Sequence, residues 1–158
     1  MSVSLRAITK ANFQECIGLK VRDDQKFVAS NVYSLAQSRI WPGLIPLAVY
    51  HDETMVGFVM YKLDHEKKEL DLCRLMVDQR HQHQGYGRGA LEALSDIAMR
   101  EPGIERIVLS TKPDNAYGIK VYERFGFRDT GVLEDGEEVF VLDVTKRSSD
   151  ETRDETTR

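Results

Sequence analysis

Residues 76–94, MVDQRHQHQGYGRGALEAL, carry the end of an apolar strand into a helical pattern through a loop in which Gly85, Gly87 and Gly89 alternate with larger residues. Leu91, Leu94, Ile97 and Ala98 then recur at helical spacing to about Arg100, and EPG at 101–103 ends the pattern. A helix start offers unpaired backbone N–H donors and the positive end of the helix dipole, and glycine lets a bulky phosphate approach the chain. The loop therefore predicts an anion site. It is not a Walker loop, because no Gly-Lys-Ser/Thr ending follows, nor a dinucleotide fingerprint, whose third glycine would fall at Ala90. A plainer reading stays open at this level: Gly85 and Gly87 only permit a turn and close strand–helix packing. Gln82 and Gln84 each open a Gln-x-x-Gly-x-Gly run, so two frames compete.

Outward from the loop, strands and helices alternate. VSLRAI (3–8) reads as a strand, Thr9 is placed to cap a helix to about Leu19, and NVYSLAQS (31–38) carries a second helical pattern before Pro42 and Gly43. PLAVYHD (46–52), TMVGFVMYKLD (54–64) and ELDLCRLMV (69–77) read as a meander joined by charged turns. ERIVLS (105–110) is a buried strand that completes a βαβ crossover with the helix before it. Asn115 to Phe125 forms another helix, stopped by Gly126, and FRDTGVL (127–133) and EEVFVLDV (137–144) flank Asp135-Gly136 as a hairpin.

A chain of 158 residues that is 41% apolar supports one core, so a single domain is expected over 1–145. The polar stretch 146–158 has no large apolar side chain and is expected to be disordered. The longest apolar run, near LIPLAVY (44–50), is too short to cross a bilayer, and the start carries no signal-like segment. A cytoplasmic protein with no membrane role is expected. Cys16 and Cys73 lack a CxxC partner, so they read as packing residues with no metal site and no disulfide framework. A net charge of -4 speaks against a general nucleic-acid binder and suits a cationic ligand.

The loop segment, taken with NAYGIKVYERFGF (115–127), resembles the acetyl-CoA-binding loop and the following helix of GNAT N-acetyltransferases. That family's loop reads Gln/Arg-x-x-Gly-x-Gly/Ala, and its later helix ends in Tyr-x-x-x-Gly-Phe. The likeness in element order runs to about Val144 and implies an α/β (α+β) fold, a mixed and mostly antiparallel twisted sheet flanked by helices. In relatives three residues separate the Val-Asp strand end from the loop's first glutamine, which selects Gln82 and puts His83 where the first glycine usually stands. The resemblance implies acetyl-CoA as co-substrate, held by Leu75, Met76 and Val77 at the strand end and by Gln82, His83, Gln84, Gly85, Tyr86, Gly87 and Arg88. The amides of about 83–88 would hold the pyrophosphate, with Arg80, Arg88, Lys120 and Arg124 as further phosphate candidates. Asn115 would meet the pantetheine arm or an ordered water, or serve as a helix cap. Gly118 replaces the commoner alanine of that motif, making room for coenzyme.

The implied reaction turns an amine and a thioester into an amide and a thiol. A primary amine with a pKa near 10 is neutral about once in a thousand molecules at pH 7, a handicap of roughly 4 kcal/mol, so a base must take its proton. Glu69 and Asp71 share one alternating face with Cys73. Asp71 stands at the position resembling the catalytic glutamate of the histone-modifying branch and is the first candidate base, acting through water; a solvated strand carboxylate is the alternative. Cys73 departs from the acid often found there in polyamine acetyltransferases. Tyr122 matches the tyrosine that in relatives lies near the coenzyme sulfur and protonates the leaving thiolate; Tyr122 also contacts the coenzyme by that likeness.

Residues 25–38, YKLD (61–64) and LCRLMVD (72–78) look like the bacterial spermine/spermidine (diamine) N-acetyltransferase branch. Asp23, Asp24, Glu53, Glu69 and Asp71 are then candidates to attract a polycation, as a small-molecule amine partner. A peptide amino terminus, a lysine side chain, an aminoglycoside, or a catalytically silent acyl-CoA sensor are the alternatives. The family often dimerises, so a homodimer is plausible.

Overall fold

The computed structural model describes residues 2–25 and 28–145, so the expectation for 146–158 lies outside the described residues. One seven-stranded sheet runs in the order β1-β2-β3-β4-β5-β7-β6. Its strands are β1 Val3–Ala7, β2 Ile45–His51, β3 Thr54–Asp64, β4 Glu69–Val77, β5 Arg106–Thr111, β6 Arg128–Glu134 and β7 Glu137–Asp143. Among the described residues only β4 and β5 pair in parallel, because α3 (Tyr86–Arg100) returns the chain between them. The mixed, mostly antiparallel α/β architecture is the one expected from the element order.

The sheet divides the core in two. On one face α3 and α4 (Ala116–Phe125) lay Leu91, Leu94, Ala98 and Phe125 against Leu70, Leu72, Ile107, Leu109 and Phe140. On the other, α1 (Phe13–Gly18) and α2 (Asn31–Ile40) cover Ala48, Phe58, Met60 and Met76, with Cys16 fully buried. Burial pushes the thiols of both Cys16 and Cys73 up to about 11, which suits packing residues and not nucleophiles. Thr9 does not cap α1 directly. Its N–H donates to Asn12 Oδ1 at 2.7 Å and its hydroxyl accepts from Ala11 N, so 9–12 form a tight turn and the helix starts only at Phe13.

The strand that matters for the site is β4, which changes phase midway. Met60 pairs with Arg74 but Tyr61 with Leu72, leaving Cys73 without a partner across β3. Such a bulge switches the side chains beyond it to opposite faces. Leu70 and Leu72 face α3 before it; Leu75 and Val77 do so after it, while Met76 turns to the other core. The apolar sequence carries this shift, from even to odd positions. Pairing of β4 with β5 also ends at Leu72 and Leu109, although β4 continues to Val77. The two strands therefore part, and their free ends open a slot between α3 and α4.

Candidate active site

A cavity of about 180 Å³ fills that slot. Of the residues expected to hold the coenzyme, Leu75, Met76, Val77, Gln82, His83, Gly85, Tyr86, Gly87, Arg88, Asn115 and Tyr122 all line it. Gln84 does not, and is exposed.

The three loop glycines serve different ends. Gly85 is the N-cap of α3 at φ 84, a left-handed conformation that side chains resist. Gly89 is required by packing, because a Cβ there would run into the side chain of Val3 on β1. Gly87 has neither reason: its φ is ordinary and a Cβ would meet only Val77 Cγ2 at 3.9 Å, plain van der Waals contact. Its missing side chain leaves room beside the cavity that Gly87 lines. This separates the two glutamine frames, since Gly89 belongs to the strand–helix contact and Gly87 to the cavity. Gln82 is also the tied glutamine, its Nε2 donating to Val77 O at 3.0 Å and to Gln25 Oε1 at 2.7 Å.

His83 adopts φ 61, the region its glycine counterpart favours, so the substitution keeps the turn and takes on its strain. Its ring packs edge-on against Tyr117 at 4.9 Å between centroids, from the loop to the first turn of α4. No side chain caps α3, so the N–H groups of its first turn remain available to an anion. Tyr86, a lining residue, is buried with its ring against His51 at 5.2 Å.

The phosphate candidates separate. Arg80 is bound to Asp78, its Nε donating at 2.7 Å to Oδ2. Arg88 lines the cavity, pairs with Glu92 one turn on, and lies over the Phe125 ring. Lys120 and Arg124 are exposed and outside the lining.

Asn115 caps α4: Oδ1 accepts from Gly118 N at 3.2 Å and Nδ2 donates to Thr111 Oγ1 at 2.9 Å. Gly118 is needed for that cap, because a Cβ there would overlap the Asn115 side chain. Its smallness therefore serves Asn115, and Gly118 also lines the cavity, where room for coenzyme is expected. Tyr122 packs edge-on against Phe127 at 5.9 Å, and burial pushes its phenol up to about 12.

The carboxylates do not gather into one channel. Glu53 sits in the β2–β3 turn bound to Arg6, Asp24 pairs with Arg22, and Glu69 lies 3.8 Å from Arg106. Asp71 is on the still-paired half of β4, outside the cavity lining, with Lys62 Nζ at 3.9 Å. Burial raises its pKa above the usual aspartate value; Lys62 opposes the shift and Glu134 adds to it. The charge of Glu134, on the far hairpin, thus acts on Asp71 though nothing local in the sequence pairs them.

Asp78 was not singled out by sequence reasoning, yet it organises the loop. Almost fully buried, it accepts from Arg80 N, from Arg80 Nε and from Lys20 N. Burial alone would raise its pKa, but these donors outweigh that and hold it low. Its place after a strand and before a short 3₁₀ turn, Gln79–His81, is the capping position that signals the role.

The sequence model of the acetyltransferase (GNAT) family matches residues 10–127. Over 152 residues, 91% of this chain and 100% of the relative, the sequence is 30% identical to the spermine/spermidine N(1)-acetyltransferase of Bacillus subtilis (strain 168). The fold is shared with spermidine N-acetyltransferase from Vibrio cholerae, solved in complex with CoA and spermine. That likeness has a TM-score of 0.71 at 15% identity and covers 92% of this chain and 97% of that one. PaiA N-acetyltransferase from Thermoplasma acidophilum, solved with coenzyme A, gives a TM-score of 0.68 at 17% identity, covering 90% of this chain and 99% of that one. With the family match spanning most of the sequence, the chain belongs to the acetyltransferase (GNAT) family and is an acetyl-CoA-dependent N-acetyltransferase.

Proposed function

We propose that the enzyme acetylates a primary amine of a polyamine such as spermidine or spermine, by direct attack of the amine on acetyl-CoA in a ternary complex. The observation that carries this reading is the likeness to a spermine/spermidine N(1)-acetyltransferase over that relative's whole length. The half-buried carboxylate Asp71, with the charge of the exposed Glu134 acting on it, gives it a physical basis, since Asp71 sets negative charge where β4 leaves β5.

In this reading the first turn of α3 holds the diphosphate through backbone N–H groups, with Gly87 providing clearance. The strand end Leu75–Val77 receives the pantetheine arm, and Asn115, Gln82, His83 and Arg88 border it. Asp71 takes the ammonium proton through water; Glu69, paired with Arg106, is the less available carboxylate. Tyr122 donates to the sulfur as the thiolate leaves. The nitrogen–carbon bond forms as the carbon–sulfur bond breaks, and one proton passes from nitrogen to solvent while another reaches sulfur.

The test is turnover of acetyl-CoA against polyamines, lysine peptides, amino acids and aminoglycosides. Spermine or spermidine should give the highest kcat/KM, with KM rising at high salt. Peptides ahead by tenfold would move the assignment to another amine, and coenzyme binding without turnover on any amine would make the protein a sensor. Asp71→Asn should lower kcat/KM for the amine at least a hundredfold while acetyl-CoA binding holds. The base works only when ionised, and its pKa is raised. Activity should therefore fall, as pH drops, at a pH above the ordinary aspartate range, and that limb should vanish in the variant.

A further inference from the structure

The segment joining α1 to α2 forms a wall of the cavity through Val21, Gln25 and Val28, and it is fastened to the coenzyme loop at two points. At one, Lys20 N donates to Asp78 Oδ1 at 3.0 Å and Gln79 N to Lys20 O at 2.8 Å. At the other, Gln82 Nε2 donates to Gln25 Oε1 at 2.7 Å. That same Gln25 oxygen accepts from Arg22 N at 3.2 Å, and Gln25 N donates back to Arg22 O at 2.9 Å, so the Gln25 amide holds a turn of the wall as well.

Gln82 is only partly satisfied. Both hydrogens of Nε2 are used, on Gln25 and on Val77 O, whereas Oε1 is buried with no hydrogen-bond partner. The opposite amide orientation would set its oxygen against two others, so Nε2 must face Gln25 and Val77. A buried carbonyl oxygen at a cavity wall calls for a donor. The pantetheine arm of acetyl-CoA carries two amide N–H groups, whereas a diphosphate carries none.

We infer that Gln25 is a positioning residue that transmits coenzyme occupancy to the acceptor side of the site. An N–H of the bound pantetheine satisfies Gln82 Oε1 and fixes the amide plane; Nε2 then locks Gln25, and with it the wall that the amine must pass to reach the thioester. The coupling rests on acetyl-CoA binding and not on which amine is acetylated. Because coupling is reciprocal, an acceptor held by the ordered wall also strengthens coenzyme binding.

Hydrogen exchange of the amides from Val21 to Gln25, with and without saturating coenzyme A, reads this directly and needs no acceptor. In the unaltered protein coenzyme A should slow exchange there at least fivefold. Gln25→Ala should reduce that protection to less than twofold while coenzyme A affinity stays within threefold. Gln25→Glu, which keeps an acceptor oxygen for Gln82 Nε2 and Arg22 N, should retain most of it. Gln82→Met, assayed at saturating coenzyme A, should abolish the protection from the other side of the bond. In turnover with the best amine found, Gln25→Ala should raise the amine KM at saturating acetyl-CoA, and the acetyl-CoA KM should rise with it only where amine is saturating, as reciprocal coupling requires. No protection in the unaltered protein, or equal protection in Gln25→Ala, overturns the inference.

Discussion

Helices α3 and α4 begin at the same cavity and are finished differently. The first turn of α4 is closed by Asn115, whose side chain accepts from Gly118 N, and Gly118 is small to admit that cap. The first turn of α3 has no side chain over it, and Gly87 is small toward open space. A glycine alone does not reveal which case applies; what its Cβ would strike does. One helix start keeps the N–H groups of its first turn uncapped beside the cavity, while the other is sealed by its own chain, with Tyr122 two turns further on.

Gly87→Val is the strongest way to break this contrast. It should weaken acetyl-CoA binding at least tenfold, about 1.4 kcal/mol, in a folded protein, as calorimetry would show. Unchanged affinity would move the phosphate cradle away from α3.

Tyr122→Phe tests α4 in turn and should cost about tenfold in kcat, with acetyl-CoA affinity within threefold and thermal stability unchanged, because the ring contact with Phe127 survives. A phenol raised to about 12 lies well above a thiol near 8.5, so the effect belongs at the low end for a general acid. A chemical step that keeps more than about a third of its rate in single turnover would remove Tyr122 from the mechanism.

Asn115→Ala should cost about 1 kcal/mol of stability through the lost cap, a fall of about 2–4 °C in Tm, with a smaller loss of coenzyme affinity than Gly87→Val. Gly87→Ala gives the smallest shift. Tm should hold or rise slightly, since the Cβ meets nothing closer than 3.9 Å and alanine favours helix, while acetyl-CoA binding weakens. A fall in Tm would mean that Gly87 serves the fold.

Much of this was legible in the sequence where the signal is local. TMVGFVMYKLD and ELDLCRLMV are β3 and β4 residue for residue, because the first is rich in β-branched and aromatic side chains, the second alternates acidic and apolar residues over its first half, and the charged turn HEKK divides them. The glycine loop announces a helix start, and the strand end before it selects Gln82 as the frame. What the sequence withheld depends on distance along the chain. Gln25 meets Gln82 across 57 residues, and the charge of Glu134 acts on Asp71 from another hairpin. Neither carries a spacing that a linear pattern could register. The β4 bulge lies between: its phase shift is written in Leu70, Leu72, Leu75 and Val77, but the parting from β5 needs the partner strand to be seen.

The contact of Gly89 with Val3 also bears on how the enzyme can be handled. It seats α3 on β1 at the end of the sheet where β4 releases the coenzyme loop, and His51 Nδ1 lies 3.2 Å from Ser2 O beside the same helix turn. The opposite end of the sheet is where β7 finishes, with Asp143 paired to Arg106. A fusion partner or surface tether joined ahead of Val3 thus emerges beside the start of α3, whereas Val144 follows a strand that finishes at the opposite end of the sheet.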